Sequence, residues 1–244
     1  MQGRPILVKF TEDQNKLQVS ECTDSICFEI KNRDEIRGFC GKWGITEYYL
    51  FLGTLALLLY YEEKEKEFII GTYSMGRVAK EVSQYIIGFF TDTIPFRFYI
   101  QESFQVGRFL QLQKEKGVEM LQYGGIDVGN IVRYMNFEDL CKGNLFEVSF
   151  NYMQEYRVEF KDEKQEIVLH DYSKNPQLIA FSLTGISKRD SVWFELMFNS
   201  NKYSRKKILL LIEKYSFIIN SILNNGDYII SDLEETYENK YFKE

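Results

Sequence analysis

The stretch from Phe68 to Ile100 reads FIIGTYSMGRVAKEVSQYIIGFFTDTIPFRFYI, and it decides the fold class. Phe68–Thr72 is a continuous apolar run of strand length, as expected for a buried strand. Val78–Ile87 has the spacing of a helix, and Thr93–Ile100 is predicted to be the next strand. Because strand, helix and strand follow one another, the stretch predicts an α/β layered fold.

Two helices are predicted on the amino-terminal side of this stretch. Asp34 is expected to cap a helix that ends near Gly41, and Thr46 is expected to cap a second helix that ends near Tyr61. The second helix is apolar on nearly every side, so we expect it to lie between other elements. Its uncharged run Tyr48–Tyr61 is shorter than the roughly 20 residues that a membrane span needs.

Strands dominate the remaining segments, together with two more helices. Ser103 to about Gln122 is an amphipathic helix, and Ser204 is expected to cap a long helix to Asn224, with Gly226 as a left-handed C-cap. The predicted strands are Pro5–Phe10, Ser25–Ile30, Leu145–Met153, Tyr156–Phe160, Glu166–Asp171, Leu178–Thr184 and Val192–Asn199. No linker divides residues 1–244, so we predict one α/β unit with a mixed β-sheet flanked by helices.

Composition excludes several classes of function. The net charge of −6 argues against a protein that binds nucleic acid by neutralising phosphates. The four cysteines form no C-x-x-C pair and there is one histidine, so no zinc site is predicted. The amino terminus lacks the apolar core of a signal peptide, and we therefore expect reduced thiols and a cytoplasmic location.

Motifs for catalysis are missing from the residues themselves. His170 is the single histidine, and its neighbour Asp171 would point to the opposite face of a strand, so it is badly placed to orient the imidazole. No G-x-S-x-G elbow, Walker loop or G-x-G-x-x-G helix start is present. The sequence therefore predicts no catalytic residue and no metal ligand in this chain.

Several segments nevertheless resemble one family when they are taken in order. They are GITEYYLFLGTLALLLYY (Gly44–Tyr61), GTYSMGR (Gly71–Arg77), IGFFTDTIPFR (Ile87–Arg97), NLFEVSFNY (Asn144–Tyr152), LIAFSLTG (Leu178–Gly185) and VWFELMFNSNKYS (Val192–Ser204). This series resembles the condensation domains of nonribosomal peptide synthetases, and the similarity covers nearly the whole chain. The segments match the second half of such a domain, so residues 1–244 are expected to be the C-terminal lobe of the two-lobed chloramphenicol acetyltransferase-like fold.

The resemblance implies a function that this chain cannot perform alone. In the family, two lobes form a channel in which aminoacyl or peptidyl thioesters on carrier proteins are joined by an amide bond. The His-His-x-x-x-Asp-Gly motif that supports the step belongs to the first lobe, and a chain whose single histidine is His170 cannot contain it. The implied partners are the first lobe and peptidyl carrier proteins, whose phosphopantetheine arms enter the channel, while no cofactor binds this chain directly.

The resemblance also implies which residues lie at the channel or between the lobes. They are Arg77, Gly88, Phe89, Asp92, Thr93 and Arg97. Arg77 is expected to approach the aspartate of the first-lobe motif. Asp92 stands where the family usually has Asn, and because a buried charge needs a partner, it is predicted to pair with Arg77 or Arg97.

Two alternatives remain open from the sequence. A non-catalytic, condensation-like module that recruits a carrier protein or a tailoring enzyme is favoured by departures from the family pattern at Tyr123–Gly129 and Asp139–Val148. An acetyltransferase of the chloramphenicol type is disfavoured, since its terminal His motif and trimer signature are missing. A lobe without its partner would expose an apolar face, so we expect self-association.

Overall fold

The computed structural model describes residues 23–74, 91–121, 145–154 and 180–242. In this part of the chain the strands are β1 (Thr23–Ile30), β2 (Glu67–Ser74), β3 (Asp92–Tyr99), β4 (Val148–Gln154), β5 (Phe181–Ser187) and β6 (Val192–Asn199). The helices are α1 (Arg33–Trp43), α2 (Glu47–Glu63), α3 (Val106–Leu121), α4 (Arg205–Asn224) and α5 (Ile230–Tyr241). The predicted mixed sheet flanked by helices is confirmed.

The six strands form one sheet in the order β1-β6-β5-β4-β2-β3. β4 runs parallel to β2 and β5, whereas the other neighbouring strands are antiparallel. Gln154 pairs with Ser187, and Ser74 pairs with Asp92. One end of the sheet, along the strand direction, therefore contains the ends of β2, β4 and β5 and the beginning of β3. We call this end of the sheet, as distinct from its edge strands, the carboxyl edge.

Helices α2, α3 and α4 contact the sheet through one set of alternating strand positions. Aromatic rings join Phe98 to Phe109, Phe150 to Tyr48, and Phe194 to Tyr215. Because successive side chains of a strand point to opposite faces, these contacts define a helix face and an opposite, outer face. The core lies between the helix face and the helices.

Helix α2 is the centre of that core, as its all-round apolar sequence predicted. All thirteen residues from Tyr49 to Tyr61 are buried. Gly53 allows α3 to approach closely, because a Cβ there would lie 2.1 Å from a methyl carbon of Leu110. None of the described helices combines the length and the apolar character that crossing a bilayer requires.

Three predicted helix ends differ from the structure. Asp34 lies in the first turn of α1, which begins at Arg33, with Asn32 at the N-cap. Helix α3 begins three residues after Ser103, since residues 102 and 104 accept backbone hydrogen bonds from the start of α5. Gly226 does not adopt the left-handed conformation; it is Gly44, with φ of 61°, that ends α1 in this way.

Other predictions fall on residues that the structure does not describe. These are the strands Pro5–Phe10, Tyr156–Phe160 and Glu166–Asp171, and the helix Val78–Ile87.

Candidate functional site

The carboxyl edge brings two of the predicted site residues to the end of β2. Asp92 pairs with Ser74, and Thr93 pairs with Tyr73. Both Asp92 and Thr93 are partly exposed. Edges where parallel strands end are where α/β sheets place their ligands, so this position is compatible with the wall of a binding channel.

Arg97 lies further along β3 and has a different partner from the one predicted. Strand alternation turns Arg97 to the outer face, whereas Asp92 points to the helix face. Arg97 forms an ion pair with Glu67, and the two side chains are 41% and 35% exposed. The structure therefore pairs Arg97 with Glu67 and not with Asp92. An ion pair this exposed stabilises the fold by only about 0–1 kcal/mol.

Arg97 is also held through its backbone. The Nζ of Lys116 on α3 donates a hydrogen bond to the carbonyl oxygen of Arg97. Burial, and then the nearby guanidinium of Arg97, lower the pKa of the Lys116 ammonium below its usual value. This bond fixes β3, the last strand of the described sheet, against α3.

Three predicted site residues lie outside the described residues. They are Arg77, Gly88 and Phe89. His170 and the segment Tyr123–Gly129 also fall outside. The structure describes where Asp92, Thr93 and Arg97 lie, and the assignment of all six residues to the channel stays a prediction.

Tyr48 approaches the carboxyl edge from the helix side. It lies in the first turn of α2, and its ring centroid is 5.6 Å from that of Phe150. Its hydroxyl lies near Thr72, whose own hydroxyl donates to the carbonyl of Ile94 at 3.1 Å. Burial raises the pKa of Tyr48 to about 12.

Next to Tyr48 lies a polar group that we call the edge cluster: Arg33, Glu47, Tyr152 and Ser187. The Arg33 guanidinium donates to Glu47 Oε2 at 2.8 Å and to Ser187 Oγ at 2.7 Å. The Tyr152 hydroxyl donates to the same Glu47 oxygen. Two helix starts, α1 and α2, are thus tied to the ends of β4 and β5.

The edge cluster is largely closed to solvent. The side chains of Arg33 and Glu47 are 10% and 18% exposed. Burial, together with the hydrogen bond to the Glu47 carboxylate, raises the pKa of Tyr152 to about 12. Arg33 and Tyr152 both donate to Oε2 of Glu47, so this carboxylate holds the starts of the two helices against the strand ends.

The edge cluster could not be found from the sequence. There Glu47 is only part of a helix start, and Tyr152 is only one position of an alternating strand. The hydrogen bond from Arg33 to Ser187 joins residues 154 positions apart. No local pattern signals such a contact.

A shallow cleft opens beside the edge cluster. It has a volume of about 370 Å³ and lies between the start of α1 and the β5–β6 turn. Its lining includes Arg33, Arg37 and Arg189 as well as Asp34 and Asp190, so the charges are mixed. Within the described ranges, no group of three His, Cys, Asp or Glu residues could hold a metal ion.

Comparison with known proteins gives the class that this fold belongs to. The sequence profile described as the condensation domain matches residues 5–241, which is nearly the whole chain. The chain therefore belongs to the condensation-domain family.

Two curated relatives are peptide synthetases. Bacitracin synthase 3 of Bacillus licheniformis is 21% identical over 200 residues, which cover 81% of this chain and 3% of the synthase. Gramicidin S synthase 2 of Brevibacillus brevis is 21% identical over 208 residues, which cover 82% of this chain and 4% of that synthase. The chain thus spans a small part of these relatives.

Solved structures show the same fold. The condensation domain from the monacolin K polyketide synthase MokA has a TM-score of 0.73 at 17% identity, over 93% of this chain and 54% of that one. The X-domain from teicoplanin biosynthesis has a TM-score of 0.77 at 13% identity, over 95% of this chain and 53% of that one. This chain spans about half the length of either domain.

Proposed function

We propose that this chain is the C-terminal lobe of a condensation domain of nonribosomal peptide synthesis. The complete domain joins two aminoacyl or peptidyl thioesters, each on a carrier protein, by forming an amide bond. One observation carries the proposal: the fold matches half of a condensation domain, yet the sequence holds the single histidine His170. In this proposal, another segment or chain supplies the two adjacent histidines.

In this proposal the carboxyl edge is one wall of the channel. Asp92 and Thr93 lie at that edge, and Arg97 follows them on the outer face. The resemblance assigns Arg77, Gly88 and Phe89, which lie outside the described residues, to the same channel or inter-lobe surface. The edge cluster supports this wall from behind by fixing the ends of β4 and β5.

The chain by itself is proposed to be inactive. It offers no pair of adjacent histidines. Its partners are the first lobe and peptidyl carrier proteins, which bring phosphopantetheine arms; we propose a cytoplasmic location. We propose that no cofactor binds this chain directly, since the phosphopantetheine arms belong to the partner carrier proteins.

Retention of carrier proteins tests the channel directly. The chain is assembled with a first lobe that carries the His-His-x-x-x-Asp-Gly motif, and carriers with and without the arm are passed over the immobilised complex. We expect retention to depend on the arm. Thr93→Trp should abolish the arm-dependent part, because the indole would fill the channel mouth. Val118→Trp, at a half-exposed position on α3, is the control and should have no effect.

The alternative is a non-catalytic module that recruits a carrier protein or a tailoring enzyme. It is favoured by the X-domain matches, one of which is a complex with OxyB from teicoplanin biosynthesis, with a TM-score of 0.76 at 14% identity over 96% of this chain. A surface module would retain carriers equally with and without the arm. That result, together with an unaffected Thr93→Trp variant, would replace the channel by surface docking.

A further inference from the structure

Three large apolar side chains line up across the sheet at the carboxyl edge. Met153 of β4 pairs with Ile186 of β5, and Ile186 pairs with Trp193 of β6. Residues paired across strands share a face of the sheet, so these three side chains are neighbours. We call them the edge row.

The edge row points away from the helices. The preceding residue on β4, Tyr152, and the following residue on β6, Phe194, both contact Phe51 of α2, with ring centroids 5.4 and 5.0 Å apart. Since side chains alternate along a strand, the row lies on the outer face.

The row is exposed in spite of its apolar chemistry. Met153 is 43% exposed and Trp193 is 38% exposed, while Ile186 is partly buried between them. Charged groups surround it: the Lys188 ammonium lies 4.3 Å from the centroid of the Trp193 ring, and Glu29 is the strand partner of Trp193. An apolar centre with a charged rim is the usual composition of a protein interface.

We infer that the edge row is the centre of the surface that docks the second lobe of the condensation domain. This inference rests on the proposed function, which places the other wall of the channel at the carboxyl edge. This chain covers 54% of the MokA condensation domain, and under the proposed function the remaining half corresponds to a second lobe that packs against it. A permanent lobe contact buries more apolar surface than a transient carrier contact does, and that favours the lobe as the occupant.

Binding between the two lobes tests the inference. The dissociation constant of the chain and a motif-bearing first lobe is measured by calorimetry for the wild type, for Met153→Lys and for Leu210→Lys. Leu210 is the matched control because it is also an apolar, solvent-exposed residue, at 44% exposure. It lies on α4, which covers the helix face of the sheet, whereas the edge row lies on the outer face. We expect Met153→Lys to weaken binding about tenfold or more, as for a truncated interface centre, and Leu210→Lys to leave it within about twofold.

Further variants keep a folding defect apart from a docking defect. Circular dichroism and the melting temperature should match the wild type for both lysine variants, because both positions face solvent. Met153→Leu should bind the first lobe as tightly as the wild type does. Trp193→Ser should weaken binding, as Met153→Lys does. Equal affinity of Met153→Lys and the wild type overturns the inference.

The same experiment separates this inference from the proposed function. If Met153→Lys binds normally and the mixed lobes form amide, the docking surface is wrong and the proposed function stands. If the wild type neither binds a first lobe nor supports amide formation, the proposed function fails and the inference fails with it.

Discussion

Glu47 is the residue on which the carboxyl edge depends most. Its carboxylate pairs with Arg33 and accepts a hydrogen bond from Tyr152. Removing one partner of a buried ion pair leaves the other charge without compensation, which costs about 3–5 kcal/mol. We expect Glu47→Ala to lower the free energy of unfolding by about 3 kcal/mol, measured by urea denaturation.

The control for Glu47 is an exposed glutamate of the neighbouring helix. Glu35 makes an exposed hydrogen bond with Asn32, so Glu35→Ala should change stability by no more than about 0.5 kcal/mol. Equal stabilities of Glu47→Ala and Glu35→Ala would show that the edge cluster does not stabilise the fold.

The raised pKa of Tyr48 predicts how the free energy of unfolding changes at alkaline pH. Burial raises its pKa from 10.0 to about 12 in the folded chain. Between these values the folded state holds a proton that the unfolded state has lost, so stability is intact below pH 10 and declines as the pH rises towards 12. One such group lowers the free energy of unfolding by at most about 1.4 kcal/mol for each pH unit.

A matched variant isolates this contribution. Tyr48→Phe keeps the ring against Phe150 but cannot ionise, whereas every other titrating group is shared with the wild type. We expect denaturation midpoints between about pH 9 and about pH 11.5 to fall less steeply with pH for Tyr48→Phe than for the wild type. If the denaturation midpoints of the wild type and of Tyr48→Phe fall equally steeply with pH, Tyr48 does not have the raised pKa that its burial implies.

At the scale of elements, the indole of Trp43 on α1 packs against both α3 and the loop before α5. A Cβ at Gly107 would lie 2.2 Å from the indole, and one at Gly226 would lie 2.6 Å from its nitrogen. The backbone N–H of Gly107 also donates to the carbonyl of Gly226 at 3.1 Å. The indole is enclosed on both sides, so the glycines are required by close packing.

We expect Gly107→Ala to destabilise the chain by about 1–3 kcal/mol through overpacking. Gly38→Ala in α1 is the control, because a Cβ there meets nothing within 4 Å. That substitution should stabilise the helix by about 0.5–1 kcal/mol. Thermal unfolding measures both changes. A Gly107→Ala variant that is more stable than the wild type would contradict the close packing of Trp43 against Gly107.

Elements with a strong local signal were predicted well. The long helix ends at Asn224 as expected, and Ser204 accepts its capping hydrogen bond from the Lys207 N–H at 3.3 Å. The strand Val192–Asn199 also has its predicted bounds. Helix ends that depend on distant contacts were not predictable; the start of α3 is one, since it is set by backbone bonds to α5.

The candidate site was predictable only in part, for a related reason. The position of Asp92 and Thr93 at the start of a strand could be predicted, whereas their assignment to a channel stays a prediction. The partner of Arg97 could not, since Glu67 lies 30 positions away and the pair forms only through the antiparallel register. The edge cluster and the edge row likewise depend on which strands are neighbours.

At the scale of the whole molecule, the exposed edge row predicts self-association. If the edge row docks a second lobe as proposed, the 29.0 kDa chain on its own should cover Met153 and Trp193 with a second copy of itself. We expect the mass measured by light scattering to rise with concentration, and Met153→Lys to suppress the rise. A constant mass of 29.0 kDa at high concentration would count against an exposed docking surface.

The central claim is that the chain forms one wall of a two-walled channel whose histidines lie on the other wall. Mass spectrometry of a mixture containing this chain, a motif-bearing first lobe and two loaded carrier proteins tests it most directly. The account predicts an amide-linked product when both lobes are present, none from this chain alone, and none when the second motif histidine is replaced by alanine. A stable two-lobe complex that makes no product, or equal product from this chain alone, would contradict it.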